Sequence, residues 1–152
     1  MNANDILTIT SAICPCREAV IFEDNRISFA QLTERANQLS NALSALGVKK
    51  GDKIGMLEVN CNHCVEVYFA TVKLGAIYVP INFRAKEDEL TYIINFSEVN
   101  TLFIGERYID LIRTIQNQLP LVKNFVSHLI RILCFIASWE DGAVQYLQIK
   151  IY

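Results

Sequence analysis

The stretch KIGMLEVNCNHCVEVYFATVKLGAIYV, residues 53–79, contains two strand-like apolar runs on either side of a helical pattern. Lys53 to Glu58 has the length and apolar content of a buried strand, and Ile77 to Val79 is made of β-branched and aromatic residues. Between them, a helix is predicted from an N-terminal cap at Asn60 to about Leu74. It should bury three side chains, those of Val65, Phe69 and Val72. Because strands joined by a helix pair in parallel through a crossover, the stretch predicts a parallel sheet with helices on its faces.

The same alternation extends to both sides of this stretch. Upstream, the pattern predicts a helix over Asp5 to Ile13, a hairpin of Ala19 to Phe22 with Arg26 to Ile27, and a long helix over Phe29 to Leu46. Ser28 and Gln31 carry the signature of a capping box, and Gly47 is placed as a left-handed C-terminal cap. Downstream, the predicted elements are a helix over Lys86 to Asn95, a strand over Thr101 to Ile104, a helix over Tyr108 to Leu119 and a final strand over Val122 to Val126. The predicted fold class is therefore α/β, with a parallel-rich sheet flanked by helices.

The composition and charge of the chain exclude some classes of function. Its 152 residues are 52% hydrophobic and 20% charged, which suits one globular domain with a substantial core. A formal net charge of −2 provides no basic surface for nucleic acid. The apolar run from Leu129 to Ala137 contains Arg131 and is shorter than the roughly 20 residues of a membrane-spanning helix. These features predict a cytoplasmic protein without a transmembrane segment and without a nucleic-acid partner.

The five cysteines are expected to be reduced thiols of a cytosolic protein. Cys14-Pro15-Cys16 and Cys61-Asn62-His63-Cys64 both suggest a zinc site, because closely spaced thiolates can share a tetrahedral metal. The first pair, however, is spaced more tightly than the usual zinc ligands. The second pair lies in an apolar helical pattern, where cysteine commonly behaves as a small buried hydrophobe. The preferred interpretation is free thiols, with His63 at a helix start and no metal site.

No residue of the chain is predicted to be catalytic or to bind a cofactor. The acidic run Glu87-Asp88-Glu89 falls at the start of a predicted helix, where it interacts favourably with the helix dipole. His63 and His128 have no nearby nucleophile pattern. The sequence contains no glycine-rich phosphate loop, and backbone geometry is the expected role of three regularly spaced glycines, Gly47, Gly51 and Gly55.

Three segments in a fixed order resemble a known family. They are ISFAQL at 27–32, GVKKGDKIG at 47–55 and KLGAIYVPIN at 73–82. Together they resemble the opening of an adenylate-forming (AMP-binding) acyl-CoA synthetase or ligase, such as the long-chain fatty-acid CoA ligases of fatty acid metabolism. The resemblance covers roughly Ile13 to Val126. It divides the chain into residues 1–126, the N-terminal part of that enzyme domain, and residues 127–152, a divergent apolar tail.

The resemblance implies a reaction, and it also shows which segments of the family have no match in this chain. Enzymes of this family use ATP and Mg²⁺ to convert a carboxylic acid to an acyl-adenylate and then transfer the acyl group to CoA. Their phosphate loop ending in Pro-Lys-Gly, their aromatic-Thr-Glu segment, their ribose-binding Asp and their C-terminal catalytic Lys have no match in this sequence. The resemblance also makes Arg84, in Asn82-Phe83-Arg84, a scaffold residue. The chain is therefore expected to be a truncated synthetase that has an incomplete N-terminal subdomain, binds none of these cofactors and is not competent alone.

Two alternatives remain open at this stage. The chain could instead be a non-enzymatic interaction module that uses the surface left by the missing remainder and self-associates through exposed apolar surface. The tail could be the product of a disrupted reading frame, or it could be a genuine final strand or helix that covers an open face.

Overall fold

The computed structural model describes residues 3–129, 133–140 and 143–150, and from residue 128 onward it describes the backbone alone. Within these ranges the helices are α1 (Ala3–Ile13), α2 (Phe29–Ala45), α3 (Asn62–Lys73), α4 (Glu87–Phe96) and α5 (Ile109–Ile115). The strands are β1 (Glu18–Phe22), β2 (Asn25–Ser28), β3 (Lys53–Leu57), β4 (Ile77–Pro80), β5 (Thr101–Ile104), β6 (Asn124–Leu129), β7 (Leu133–Glu140) and β8 (Ala143–Lys150). They belong to two compact units, Met1–Lys50 with Asn60–Ala76, and Gly51–Val59 with Ile77–Tyr152.

The first unit packs three helices with the β1–β2 hairpin. Its core contains the buried side chains of Leu7, Ile27, Leu32 and Ala36. The predicted capping box of α2 is confirmed, since the Ser28 hydroxyl accepts from the Gln31 N–H at 3.2 Å and the Gln31 amide oxygen accepts from the Ser28 N–H at 2.9 Å. Gly47 follows this helix with a φ of 85°, the left-handed value predicted for it. The sequence therefore fixes both ends of the longest helix.

The start and the inner face of α3 differ from the prediction. The helix begins at Asn62 with Cys61 at the N-cap, so the predicted cap at Asn60 is wrong. Its buried residues include Val67 and Ala70, while the predicted Val72 is only partly buried. The predicted Val65 and Phe69 do pack against the core of the first unit. Because α3 has apolar residues around much of its circumference, its pattern offers two neighbouring apolar faces and does not distinguish between them.

The second unit contains a six-stranded sheet in the order β4-β3-β5-β6-β7-β8. The first four strands of this order are parallel to one another. Strand β7 then pairs with β6, and β8 pairs with β7, both in the antiparallel direction. Helices α4 and α5 pack on this sheet through a buried cluster that includes Leu57, Leu90, Ile94, Leu102, Ile104, Ile112 and Ile115. The predicted fold class, an α/β structure with a parallel-rich sheet flanked by helices, is confirmed.

Two predicted boundaries in this unit are wrong. The α-helix predicted over Tyr108 to Leu119 is α-helical only over Ile109–Ile115, with a short 3₁₀ turn on either side. The strand predicted over Val122 to Val126 begins at Asn124, because the Val122 N–H donates to Leu119 at 3.2 Å and closes a turn first. This strand is also not the final one, since β7 and β8 follow it.

None of the helices within the described residues combines the length and the hydropathy that crossing a membrane requires.

Candidate functional site

The carboxyl ends of the parallel strands form the edge at which open α/β sheets bind ligands. Strands β3, β4 and β5 run in the same direction and end at Leu57, Pro80 and Ile104. The chain passes from β3 to β4 on one side, and then returns past β3 to place β5 on the other side. This reversal is a topological switch point, and it lies between the ends of β3 and β5. The residues that follow those two strands, Glu58 and Gly105, are therefore the candidates for contact with a ligand.

Glu58 and Gly105 lie against each other at this switch point. The Gly105 N–H donates to the carbonyl of Leu57 at 2.9 Å, which extends the β3–β5 ladder by one bond. A Cβ atom on residue 105 would overlap the Glu58 carboxylate. That carboxylate is also fixed by its own chain, because its Oε1 accepts from the Val59 N–H at 2.7 Å. Glycine at position 105 thus leaves the space that the half-buried carboxylate of Glu58 occupies.

The loop after β4 contributes Asn82, Phe83 and Arg84 to the same edge. The Asn82 side-chain oxygen accepts from the Arg84 N–H at 3.0 Å, which closes a tight turn. The Arg84 guanidinium lies over the Phe83 ring, 5.2 Å from its centroid, in a cation–π contact. These contacts are local to the loop.

The acidic run Glu87-Asp88-Glu89 lies in the first turn of α4, as predicted. The Glu89 carboxylate accepts from the backbone N–H of Lys86 at 3.0 Å, which satisfies a donor at the helix start. All three residues are exposed. Their placement explains the run as a feature of the helix terminus, where negative charge is stabilised by the helix dipole.

The start of α3 carries a polar network that the sequence interpretation did not identify. Glu66 Oε1 accepts from Asn62 Nδ2 at 3.0 Å and from Arg35 Nη1 of α2, also at 3.0 Å. His63 Nδ1 lies 3.6 Å from Glu66 Oε2, an ion pair when the imidazole is protonated. The i,i+3 and i,i+4 spacing of His63 and Asn62 relative to Glu66 is the signal that could have revealed it.

The charges in this network shift two pKa values. Contact with the Glu66 carboxylate raises the pKa of His63, against the opposing effect of burial. Burial alone would raise the pKa of Glu66, but the contacts with His63, Asn62 and Arg35 outweigh it, so the pKa of Glu66 is lowered. Both residues are therefore stabilised in their charged forms.

The cysteines form two unlike pairs. The Cys14 thiol donates to the carbonyl of Thr10 at 3.2 Å, and Cys16 is exposed. The sulfur atoms of Cys61 and Cys64 lie 3.8 Å apart, and both side chains are half-buried. Among the residues whose side chains the structure describes, no three His, Cys, Asp or Glu side chains come together as metal ligands. The side chain of His128 lies outside the described part of the chain.

A sequence profile of the AMP-binding enzyme family matches residues 10–141, which is most of the chain. The chain belongs to the AMP-binding enzyme family. Its similarity to the 3-oxocholest-4-en-26-oate–CoA ligase of Rhodococcus rhodochrous is 35% identity over 126 residues, covering 83% of this chain and 23% of the relative. Its similarity to a crotonobetaine/carnitine–CoA ligase of Escherichia coli is 28% identity over 144 residues, covering 93% of this chain and 26% of the relative. This chain thus spans about a quarter of the length of these relatives.

Solved structures of the family show the same fold. The anthranilate CoA ligase AuaEII, in complex with anthranoyl-AMP, superposes with a TM-score of 0.81 at 34% identity, covering 84% of this chain and 25% of AuaEII. The N-terminal domain of FACL13 from Mycobacterium tuberculosis superposes with a TM-score of 0.78 at 28% identity, covering 84% of this chain and 34% of that one. The resemblance predicted from the three sequence segments is confirmed. This chain corresponds to the N-terminal part of these enzymes.

Proposed function

We propose that the 152 residues form the N-terminal part of an acyl-CoA ligase and that by themselves they do not convert a carboxylic acid to an acyl-adenylate. The proposal is supported by the share of each protein's length that the match covers. The match extends over 83–93% of this chain but over only 23–26% of the full-length relatives. The chain would therefore contribute a scaffold to a reaction whose remaining parts lie in the other three quarters of such an enzyme.

The chemistry of the sheet edge supports the same proposal. The switch point offers one carboxylate, Glu58, beside the backbone of Gly105. ATP is handled with Mg²⁺, which takes six oxygen ligands, and with donors or cations that stabilise phosphate charge. Within the part of the chain that the structure describes, the residues at this edge do not fit an Mg²⁺–ATP complex. We therefore derive no adenylation step from them.

The names of the relatives indicate how broad the proposed substrate class is. They include a ligase for a steroid carboxylate, one for crotonobetaine or carnitine and one for anthranilate. Those acids share a carboxyl group and little else. We therefore propose a carboxylic acid as the substrate class of a complete enzyme with this N-terminal part, with ATP, Mg²⁺ and CoA as its co-reactants. Its cysteine content favours a reducing compartment, and we propose the cytoplasm as its location.

ATP–pyrophosphate exchange tests the proposal directly. The purified chain should show no acid-dependent exchange with a panel of fatty, aromatic and steroid acids, because each missing charge-stabilising donor lowers the rate by a factor of about 100 to 1,000. A full-length relative such as the anthranilate CoA ligase, assayed in parallel, is the positive control. Exchange that depends on any one acid would overturn the proposal.

A second candidate function, self-association, is favoured by one apolar feature of α4. Tyr92 and Phe96 stack with ring centroids 5.5 Å apart, and they are 65% and 75% exposed. They line a surface cavity of about 420 Å³ together with Asp88, Thr91, Asn95 and Gln118. If this surface binds a second copy of the chain, the mass in light scattering should rise with concentration. Replacing both aromatic residues with serine should abolish the rise, whereas Ile13→Ser, at a residue that is 77% exposed in the first unit, should not.

A further inference from the structure

The thiols of Cys61 and Cys64 share the first turn of α3. Cys61 is extended, with φ −151° and ψ 174°, and the helix begins at the next residue. The Cys64 N–H donates to the carbonyl of Cys61 at 3.2 Å, which folds the turn back toward the N-cap. This geometry brings the two sulfur atoms to 3.8 Å, within sulfur hydrogen-bond distance. A disulfide of about 2.05 Å would require them to approach by less than 2 Å.

We propose that Cys61 and Cys64 form a redox-active dithiol that a small-molecule disulfide oxidises to an intramolecular disulfide. The proposal does not depend on the function proposed above. It rests on the 3.8 Å separation of the two sulfur atoms in a Cys-x-x-Cys turn, which a disulfide can bridge with little movement of the chain. Both thiols are half-buried, so the site is held by the fold while it remains accessible to a small reagent.

The oxidation balances as two successive thiol–disulfide exchanges. A thiolate of the pair attacks one sulfur of the reagent, the S–S bond of the reagent breaks, and one reagent thiol leaves with a proton from solvent. The second cysteine then loses its proton to solvent and attacks the mixed disulfide. The protein S–S bond forms, and the second reagent thiol leaves. Two protein thiols are oxidised by two electrons, and one reagent disulfide is reduced to two thiols.

The surroundings of the pair act on the Cys61 thiol and hold the turn in place. The hydrogen bond with Cys64, together with burial, raises the pKa of Cys61. Because either sulfur of the pair can be the hydrogen-bond donor, either can attack the reagent first, and the other then attacks the mixed disulfide. Asn62 and Glu66, joined at 3.0 Å, hold the first turn in the conformation that keeps both sulfur atoms together.

The chain contains a second cysteine pair that serves as an internal control. Cys14 and Cys16 are also close in sequence, but the Cys14 thiol donates to Thr10 of α1, and Cys16 is exposed. If proximity in sequence were sufficient, both pairs would become oxidised alike. If the geometry of α3 is the cause, only Cys61 and Cys64 should form a bridge.

The test uses the full chain with Cys134→Ser, so that these two pairs are the only thiols. The reduced protein is equilibrated with glutathione buffers of increasing disulfide content, free thiols are alkylated, and bridged peptides are identified by mass spectrometry. We expect a bridged peptide that has lost two hydrogen atoms and contains both Cys61 and Cys64. A bridge between Cys14 and Cys16 alone, a bridge between chains, or complete alkylation of Cys61 and Cys64 in the most oxidising buffer would each overturn the proposal.

Phenylarsine oxide, which bridges two neighbouring thiols, provides a second measurement that needs no oxidation. Binding of one equivalent should be lost in Cys61→Ser and in Cys64→Ser and retained in the Cys14→Ser/Cys16→Ser double variant. Circular dichroism of each variant establishes that it is folded. In Cys61→Ser and in Cys64→Ser, the remaining cysteine should form only a mixed disulfide with glutathione, because no second thiol lies beside it to displace the glutathione. Arsenical binding that survives both single substitutions would contradict the assignment of the dithiol.

Discussion

Gly55 of β3 and Leu102 of β5 are register partners, and the Cδ1 atom of Leu102 lies 2.9 Å from where a Cβ of residue 55 would be. Val99 Cγ1 and Ile81 Cδ1 would lie 3.0 and 3.1 Å from the same point. Gly55 has no positive φ, so its role differs from that of Gly47. A missing side chain at this position of β3, which has a neighbouring strand on each side, is what allows three buried apolar side chains to meet there.

Gly55→Ala should lower the free energy of unfolding by about 1–2 kcal/mol, because overpacking outweighs the small entropic gain of removing a glycine. Denaturant unfolding followed by circular dichroism measures the change. Leu102→Val removes the nearest atom, so the loss in the Gly55→Ala/Leu102→Val double variant should be smaller than the sum of the two single losses. Additive losses would show that the three side chains do not restrict residue 55.

Leu39→Asp should unfold the first unit. Leu39 is 8% exposed on the inner face of α2, and an unpaired carboxylate there costs several kcal/mol. Asn41→Asp places the same charge on the exposed side of this helix and should leave the melting temperature nearly unchanged. Ser28→Ala, which removes only the cap, should cost about 1 kcal/mol. Equal melting temperatures for Leu39→Asp and Asn41→Asp would show that this face of α2 is not packed.

The contribution of His63 to stability should depend on pH. Its folded pKa is raised above 6.5, so its stabilising contact with Glu66 is fully present below 6.5 and is lost as pH rises through the folded pKa. The folded pKa of Glu66 is lowered below 4.5, so the contribution of that carboxylate is present above 4.5 and is lost as pH falls through the folded value. Both contributions are complete between these limits.

Thermal unfolding of His63→Gln measures this dependence. The variant should melt below the parent chain at about pH 5.5, and the difference should shrink as pH rises through the raised pKa of His63. In a Glu66→Gln background, the same substitution should show no such pH dependence. A difference that is independent of pH in the parent chain would contradict the assigned ion pair.

Ending the chain after Leu129 should promote association. The truncation removes β7, the antiparallel neighbour of β6, and leaves the backbone of β6 unpaired along one side. Such an open edge pairs readily with other chains. Light scattering of the truncated and full chains at matched concentrations should therefore show larger species in the truncated sample. An equally monodisperse and equally stable truncated chain would show that β7 and β8 are dispensable for the fold, as expected for a tail from a disrupted reading frame.

The sequence predicts the elements of this fold better than it predicts their precise limits. The ends of α2 follow from single residues with a strong local preference, Ser28 and Gly47, and both were predicted. The pattern misplaces the start of α3 because several polar residues precede this helix and no side chain caps it. Periodicity also could not show that Gly55 makes room for Leu102, since that contact joins residues far apart in the sequence.

The candidate site was less predictable than the fold. The sequence pattern places Glu58 at the end of a strand, and nothing local to Glu58 indicates that Gly105 lies beside it. Only the strand order, in which β3 and β5 are neighbours, brings the two together. The family, by contrast, was recognisable from three short segments, because their order and spacing carry information that no single segment has.

The position of β3 between β4 and β5 has a consequence for synthesis on the ribosome. The partners of Ile54 are Tyr78 and Thr101, which lie 24 (78 − 54) and 47 (101 − 54) residues later in the chain. At a translation rate of about 5–20 residues per second, the second side of β3 waits roughly 2–9 seconds for its neighbour to be made. A nascent chain that stalls before Thr101 therefore holds an apolar strand with one open edge, at which another chain can pair.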